Sequence, residues 1–249
     1  MAPVCYREAH LIFALSPEQK ALAIKAGART EKVVIAPNGI ESKDIGIPGN
    51  SVYGGARKSR VNGTLNLLYV GRFSVEKGVE VLLDACGVLS EWNVDFSLTL
   101  VGDGPDRKKL SNLVTHLGIT SRVTFVGSVP RQKLGALYQS SDMLCVPSLD
   151  EALGNVVLEG LIGGCLVLGS DVGGISFILT DGVDGYLVPP ARSDKIAEKI
   201  RSAWENKAKV EMIRTNALEM VQRRFRWNEI VLRMREAIDE AVLSTEGHC

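Results

Sequence analysis

Between residues 65 and 205 the chain alternates two textures, and this alternation restricts its fold more than any other feature. Short apolar runs occur at 65–71 (LNLLYVG), 96–102 (FSLTLVG), 123–127 (VTFVG), 142–147 (DMLCVP) and 165–170 (CLVLGS). Between them lie stretches with helical apolar spacing at 79–90, 105–117, 130–140 and 155–163, and another follows at 193–205. Strands that are apolar on both faces belong to a parallel sheet covered on both sides, and amphipathic crossovers supply the cover. The expectation is therefore an α/β, doubly wound, Rossmann-like domain with right-handed connections. Such a sheet takes its ligand outside the carboxyl ends of its strands. Three of the runs end in glycine, at Gly71, Gly102 and Gly127, as a crevice that admits a ligand close to backbone would allow.

The ends read differently. Residues 10–16 and 32–36 are strand-like around a helix at 17–26. Residues 42–63, rich in Gly, Ser, Lys, Arg and Asn, read as a linker or flexible loop. The tail, 227–243, is a long amphipathic helix with Ile230, Val231, Met234, Ala237, Ile238 and Ala241 on one side. Lys+Arg and Asp+Glu are equal at 29 each, so general nucleic-acid binding is not expected and any anion must be held locally. The five cysteines form no C-x-x-C pair, which favours reduced thiols over a disulfide framework or zinc site. With no signal-like N-terminus and no long apolar run, the reading is a cytoplasmic protein, with peripheral membrane contact left open.

Two constellations carry chemistry. After the first run come Gly71, Arg72, Lys77 and Gly78, two cations five apart ahead of a helix. A guanidinium fork and an ammonium make an anion cradle, although an isolated pair of this kind is by default a solvated loop. After the fourth run come Pro147, Ser148, Glu151, Gly154, Asn155 and Glu159. Gly154 and Asn155 would open a helix, so the amides of Leu153, Gly154, Asn155 and Val156 would face outward as anion donors. The two acids suit hydroxyl arrays such as sugars and ribose. The residues alone leave Glu159 as a capping or exposed acid.

Taken in order, Gly71-Arg72-x4-Lys77-Gly78, Val101-Gly102-Asp103-Gly104-Pro105, Val126-Gly127, Pro147-Ser148, Glu151-x7-Glu159, Ser170-Asp171-Val172-Gly173-Gly174-Ile175 and Asp181-Gly182-x2-Gly185-Tyr186-Leu187-Val188 resemble the motif set of family-4 (group 1) GT-B glycosyltransferases. The resemblance covers roughly 33–240. It implies the donor-binding C-terminal half of such an enzyme at 64–224, with 1–41 a remnant of the N-terminal acceptor domain. The helix at 225–249 would cross back toward that domain. It implies that Arg72 and Lys77 bind the diphosphate, that Glu151 lies near the donor sugar, and that these three are the catalytic set. Glu159 would bind the ribose hydroxyls. The amides of Leu153, Gly154, Asn155 and Val156 would hold the distal phosphate and sugar, and the backbone from Gly127 to Val129 would lie beside the base. Retention of anomeric configuration and no obligatory metal or other cofactor are implied as well. The implied partners are a nucleotide-sugar donor, a glycan or lipid-linked acceptor, and a partner chain supplying the acceptor half, with no nucleic acid.

Where this sequence has Ser176-Phe177, the family often has Pro-Glu. Its glycine-rich N-terminal loop and active-site histidine have no counterpart here, and His10, His116 and His248 match no motif. The expected reaction is sugar transfer in polysaccharide biosynthesis, by a truncated or half-enzyme form. The alternatives are a non-catalytic nucleotide-sugar-binding module and, third, a nucleotide-sugar epimerase of the same fold. Residues 1–41 would leave apolar surface around Leu11, Ile12 and Phe13.

Overall fold

The computed structural model describes residues 2–48 and 63–246. Among these residues, eight strands form two parallel sheets. β1 (Ile12–Ala14) pairs with β2 (Val33–Ile35) in the small one. The large sheet contains β3 (Leu65–Val70), β4 (Phe96–Val101), β5 (Val123–Gly127), β6 (Met143–Val146), β7 (Leu166–Ser170) and β8 (Tyr186–Val188), in the spatial order β5-β4-β3-β6-β7-β8. The chain builds outward from β3 to one edge, returns to the centre at β6, and builds outward to the other edge. The order thus reverses between β3 and β6, and loops leaving adjacent strands in opposite directions open a crevice there.

Strand alternation splits the core into two layers. Leu65, Leu67 and Tyr69 of β3 face the layer shared with α3 (Val79–Glu91), α4 (Arg107–His116) and α8 (Ser193–Glu205). Leu68 faces the opposite layer, with α5 (Leu134–Ser140), α6 (Asn155–Ile162), α7 (Gly173–Ile178) and α9 (Lys207–Arg224). Burial on both faces is the physical content of the continuous apolar runs, as expected of a parallel sheet.

Several local expectations change. The helix predicted from Pro105 starts two residues later, because Gly104 to Asp106 form a tight turn closed by Arg107 N donating to Gly104 O. The helix predicted at 130–140 opens as a 3₁₀ turn, Arg131–Lys133, before α5. The linker at 42–63 begins as a packed 3₁₀ turn, Ser42–Ile45, in which Glu41 and Asp44 cap each other and Ile45 is fully buried. Its residues 49–62 lie outside the described residues. Among the strand-end glycines, Gly102 owes its lack of a side chain to backbone: a Cβ there would stand 1.9 Å from Gly71 O. α7, β8, α9 and a short α1 (Ala2–Glu8) were not expected as elements.

The N-terminal segment packs as a small unit, with α2 (Pro17–Lys25) capped by Ser16 against β1 and β2. Leu11, Ile12 and Phe13 are half-buried, so only part of the apolar surface expected there is exposed. More apolar surface lies on α10 (Trp227–Glu246), where Val231, Leu232, Ile238, Val242 and Leu243 are exposed and Ile230 alone is fully packed among the described side chains. The segment 37–40 runs beside the start of that helix: Ile40 N donates to Phe225 O at 2.8 Å, and a Cβ on Gly39 would meet the Trp227 ring at 2.6 Å.

Candidate functional site

The loop after β3 is fastened before it reaches its cations. The Tyr69 hydroxyl donates to Arg72 O at 2.8 Å, and burial, with Glu151 and Glu76 nearby, holds that phenol proton well above the usual tyrosine range. Phe73 is fully buried and exchanges backbone hydrogen bonds with Asp103 and Asp106 of the next loop. The Arg72 side chain is exposed and makes no hydrogen bond or ion pair among the described residues. The Glu76 carboxyl is held below the usual range, chiefly by the Ser74 hydroxyl and further by the charges of Arg72 and Lys77. Both cations therefore act on one locale at the carboxyl end of β3.

Three contacts lock this loop onto the one after β6. Leu149 N donates to Glu76 O at 2.8 Å. Gly78, at φ +63°, approaches so closely that a Cβ would stand 2.0 Å from Pro147 O. Lys77 Nζ pairs with Glu151 Oε2 at 2.8 Å, and the Ser148 hydroxyl donates to the same oxygen at 3.3 Å. Lys77 and Glu151 are thus brought together directly, across 74 residues of sequence.

Gly154 caps α6 in a left-handed conformation, so the helix starts at Asn155 as expected. The first-turn amides of a helix have no intrahelical acceptor, and the positive end of the macrodipole adds to their attraction for anions. Leu153 and Gly154 are buried, Val156 is half-buried and Asn155 is exposed at the mouth. From the N-terminal segment, Asn38 Nδ2 donates to Asn155 Oδ1 at 2.9 Å. A third loop supports this one from behind: Gly174 N donates to Glu151 O at 2.8 Å, and a Cβ on Gly174 would stand 2.1 Å from Leu153 Cα.

Glu159 is neither a cap nor exposed. It lies one turn into α6 and is buried. Its Oε1 accepts from Arg131 Nε and its Oε2 from the Tyr138 hydroxyl, each at 2.9 Å. A carboxylate can be buried only with such compensation, because desolvating a lone charge costs far more. On the far side of the crevice a Cβ on Gly127 would meet only open space, whereas Val129 packs against the core. Asn38, Arg131 and Tyr138 escaped the sequence reading. A tyrosine on an apolar helical face does signal a buried partner for its hydroxyl, although spacing does not say which.

Among the described residues, no cluster of three or more His, Cys, Asp or Glu side chains has metal-holding geometry, and no helix is long and apolar enough to cross a membrane.

Residues 56–220 match the family model described as Glycosyl transferases group 1. The chain is 31% identical over 151 residues to alpha-D-kanosaminyltransferase of Streptomyces kanamyceticus, covering 61% of this chain and 39% of that protein. It is 29% identical over 230 residues to D-inositol 3-phosphate glycosyltransferase 1 of Catenulispora acidiphila, covering 89% and 54%. The match thus spans about half or less of these relatives' own lengths. The Anabaena protein HepE, solved with UDP and glucose, superposes with a TM-score of 0.82 at 25% identity, over 96% of this chain and 65% of that one. A sucrose-phosphate synthase from Thermosynechococcus elongatus superposes equally, at 26% identity over 97% and 61%.

Proposed function

The chain belongs to the group 1 glycosyl transferases, and from that membership we propose that it binds a nucleoside diphosphate sugar in the crevice between the loops after β3 and β6 for transfer to a hydroxyl-bearing acceptor. The observation that carries this reading is the Lys77–Glu151 pair, which joins the loop carrying exposed Arg72 to the loop that leads into α6, at the point where strand order reverses. The diphosphate takes Arg72, Lys77 and the amides of Leu153 to Val156. Charge that develops on it as the sugar bond breaks is met by donors already in place. Glu151 faces the sugar, Glu159 takes the ribose hydroxyls, and the backbone from Gly127 to Val129 lies beside the base. HepE, a structural relative, is described with UDP-glucose, which supports a donor of that class. Transfer proceeds with retention of configuration, and the two cations serve in place of a metal. The acceptor is held by protein beyond this domain, so a polypeptide of these 249 residues binds donor without sustained turnover.

A thermal-shift series with UDP, GDP, ADP and dTDP, repeated with EDTA, tests the reading. A ligand that binds only the native state stabilises it by about 2.7 kcal/mol at a hundred times its Kd. The expected result is a rise in Tm with at least one diphosphate, unchanged by EDTA. No shift with any of them at millimolar concentration would overturn it.

A further inference from the structure

The mode of holding Glu159 identifies a contact between two subsites that sequence spacing does not connect. The acid sits on α6, and its side chain is only 9% exposed. One donor, the Tyr138 hydroxyl, comes from the buried face of α5. The other, Arg131 Nε, comes from the turn that follows β5 and residues 128–130, and that side chain is half exposed. Each carboxylate oxygen therefore has one donor. A carboxylate oxygen has two lone pairs, so both oxygens keep capacity for an incoming hydroxyl. The guanidinium Nε bond and the phenol fix the plane of the carboxylate, and with it the direction of the remaining lone pairs.

We propose that Arg131 and Tyr138 are positioning residues for ribose recognition: together they hold the Glu159 carboxylate in one orientation, and Arg131 ties the base-side loop to the ribose-side helix. The inference rests on the proposed donor site. Neither side chain needs to touch the nucleotide. A carboxylate free to rotate accepts from a ribose diol only after losing that freedom, whereas an anchored one has already lost it, which is how preorganisation improves binding. Sites built to pair with a particular hydroxyl reject the analogue that lacks it. The signature of correct orientation is therefore discrimination between ribose and 2′-deoxyribose, a ratio that general damage to the fold does not selectively alter.

The test is calorimetric titration of the full chain with UDP, GDP and ADP and with their 2′-deoxy counterparts. For wild type, the diphosphate that binds is expected to exceed its 2′-deoxy form by about tenfold, the scale of one hydrogen bond to a charged acceptor. Arg131→Met and Tyr138→Phe should each bring this ratio to about two or less while 2′-deoxy binding changes by no more than about twofold. Arg131→Lys should recover part of the ratio. Tyr138→Phe keeps the ring and its packing, so the question remains answerable if Arg131→Met proves unstable. If wild type binds a diphosphate and both variants keep its full ribose preference, the positioning role is overturned and the donor site stands. If wild type binds none of the six ligands, the donor-site reading itself fails, and the inference with it.

Discussion

Lys77 Nζ lies 2.8 Å from Glu151 Oε2, so the cation assigned to the diphosphate is already shared with the acid assigned to the sugar. Both side chains are largely covered, and the pair is therefore screened less than a surface ion pair would be. A diphosphate entering the crevice must draw Lys77 partly away from Glu151, and the two substitutions should behave oppositely. Lys77→Met should weaken nucleoside diphosphate binding by about tenfold or more, the scale of a lost charged hydrogen bond. Glu151→Gln removes a competitor for the ammonium, so diphosphate binding should hold or strengthen. Titration of both variants with the same ligand decides this. Equal weakening by both would mean that the pair acts as a structural unit and that Lys77 does not reach the phosphate.

Gly174 supports the site without facing it. Its amide holds Glu151 O, and a Cβ would fall 2.1 Å from Leu153 Cα, where backbone cannot yield cheaply. Gly174→Ala should cost about 1–3 kcal/mol through overpacking. Because the displaced backbone is the segment carrying Glu151 and Leu153, donor affinity should fall even in the fraction that remains folded. Denaturant unfolding and titration on the same preparation separate the two effects. Native affinity in a destabilised variant would show that the loop does not depend on this contact.

The parts of the molecule that were legible beforehand owe it to burial on both faces. β3, with Leu65, Leu67, Leu68 and Tyr69 all buried, has no polar face that could belong to anything but a central parallel strand. α9 was not legible for the converse reason. It buries Val210, Ile213, Ala217, Met220 and Val221, but that stripe is narrow and charged residues dilute the rest. The motifs put Lys77 and Glu151 on the loops that follow two strands, and the structure joins these loops by an ion pair. They did not show that Glu159 would be buried between Arg131 and Tyr138. Those partners lie 28 and 21 residues away, and only the packing of α5 and the turn before it against α6 joins them.

The described thiols give a pH-dependent test. Burial pushes the Cys145 thiol from an ordinary 9.0 up to about 12, with Cys165 adding to it, and burial likewise raises Cys86 well above its ordinary value. Cys5 is exposed. At pH 8 a thiol reagent should label Cys5 in the native chain and reach Cys86 and Cys145 only after denaturation, because the thiolate is the reactive form. The folded values are raised, so the native state keeps protons that the unfolded state releases. Stability should therefore be intact below about pH 9 and fall as pH climbs toward 12, with buried Tyr69 and Tyr138 acting in the same direction. Cys145→Ala should flatten part of that fall in a Tm-against-pH series. Rapid native labelling of Cys145, mapped by mass spectrometry, would contradict the buried state.

α10 should be the least protected long helix. It follows Phe225, which is fully buried, and its first turn is anchored by Ile230 and by the Trp227 ring beside Gly39. Beyond Ile230, Met234, Ala237 and Ala241 are only half-buried, while Val231, Leu232, Ile238, Val242 and Leu243 stand in solvent. A helix owes most of its stability in a protein to packing of its apolar face, and an isolated helix of this length is marginal in water. Opening of such a segment costs far less than global unfolding, and its amides exchange accordingly. Hydrogen exchange followed by mass spectrometry should show residues 234–243 exchanging orders of magnitude faster than β3, with protection decaying from Ile230 outward. Ile238→Glu should leave Tm within about 1 °C, since a substitution that buries nothing and breaks no contact alters stability little. Protection of 234–243 equal to that of β3, together with a large drop in Tm for Ile238→Glu, would mean that this face is covered in solution and that the helix is not free-standing.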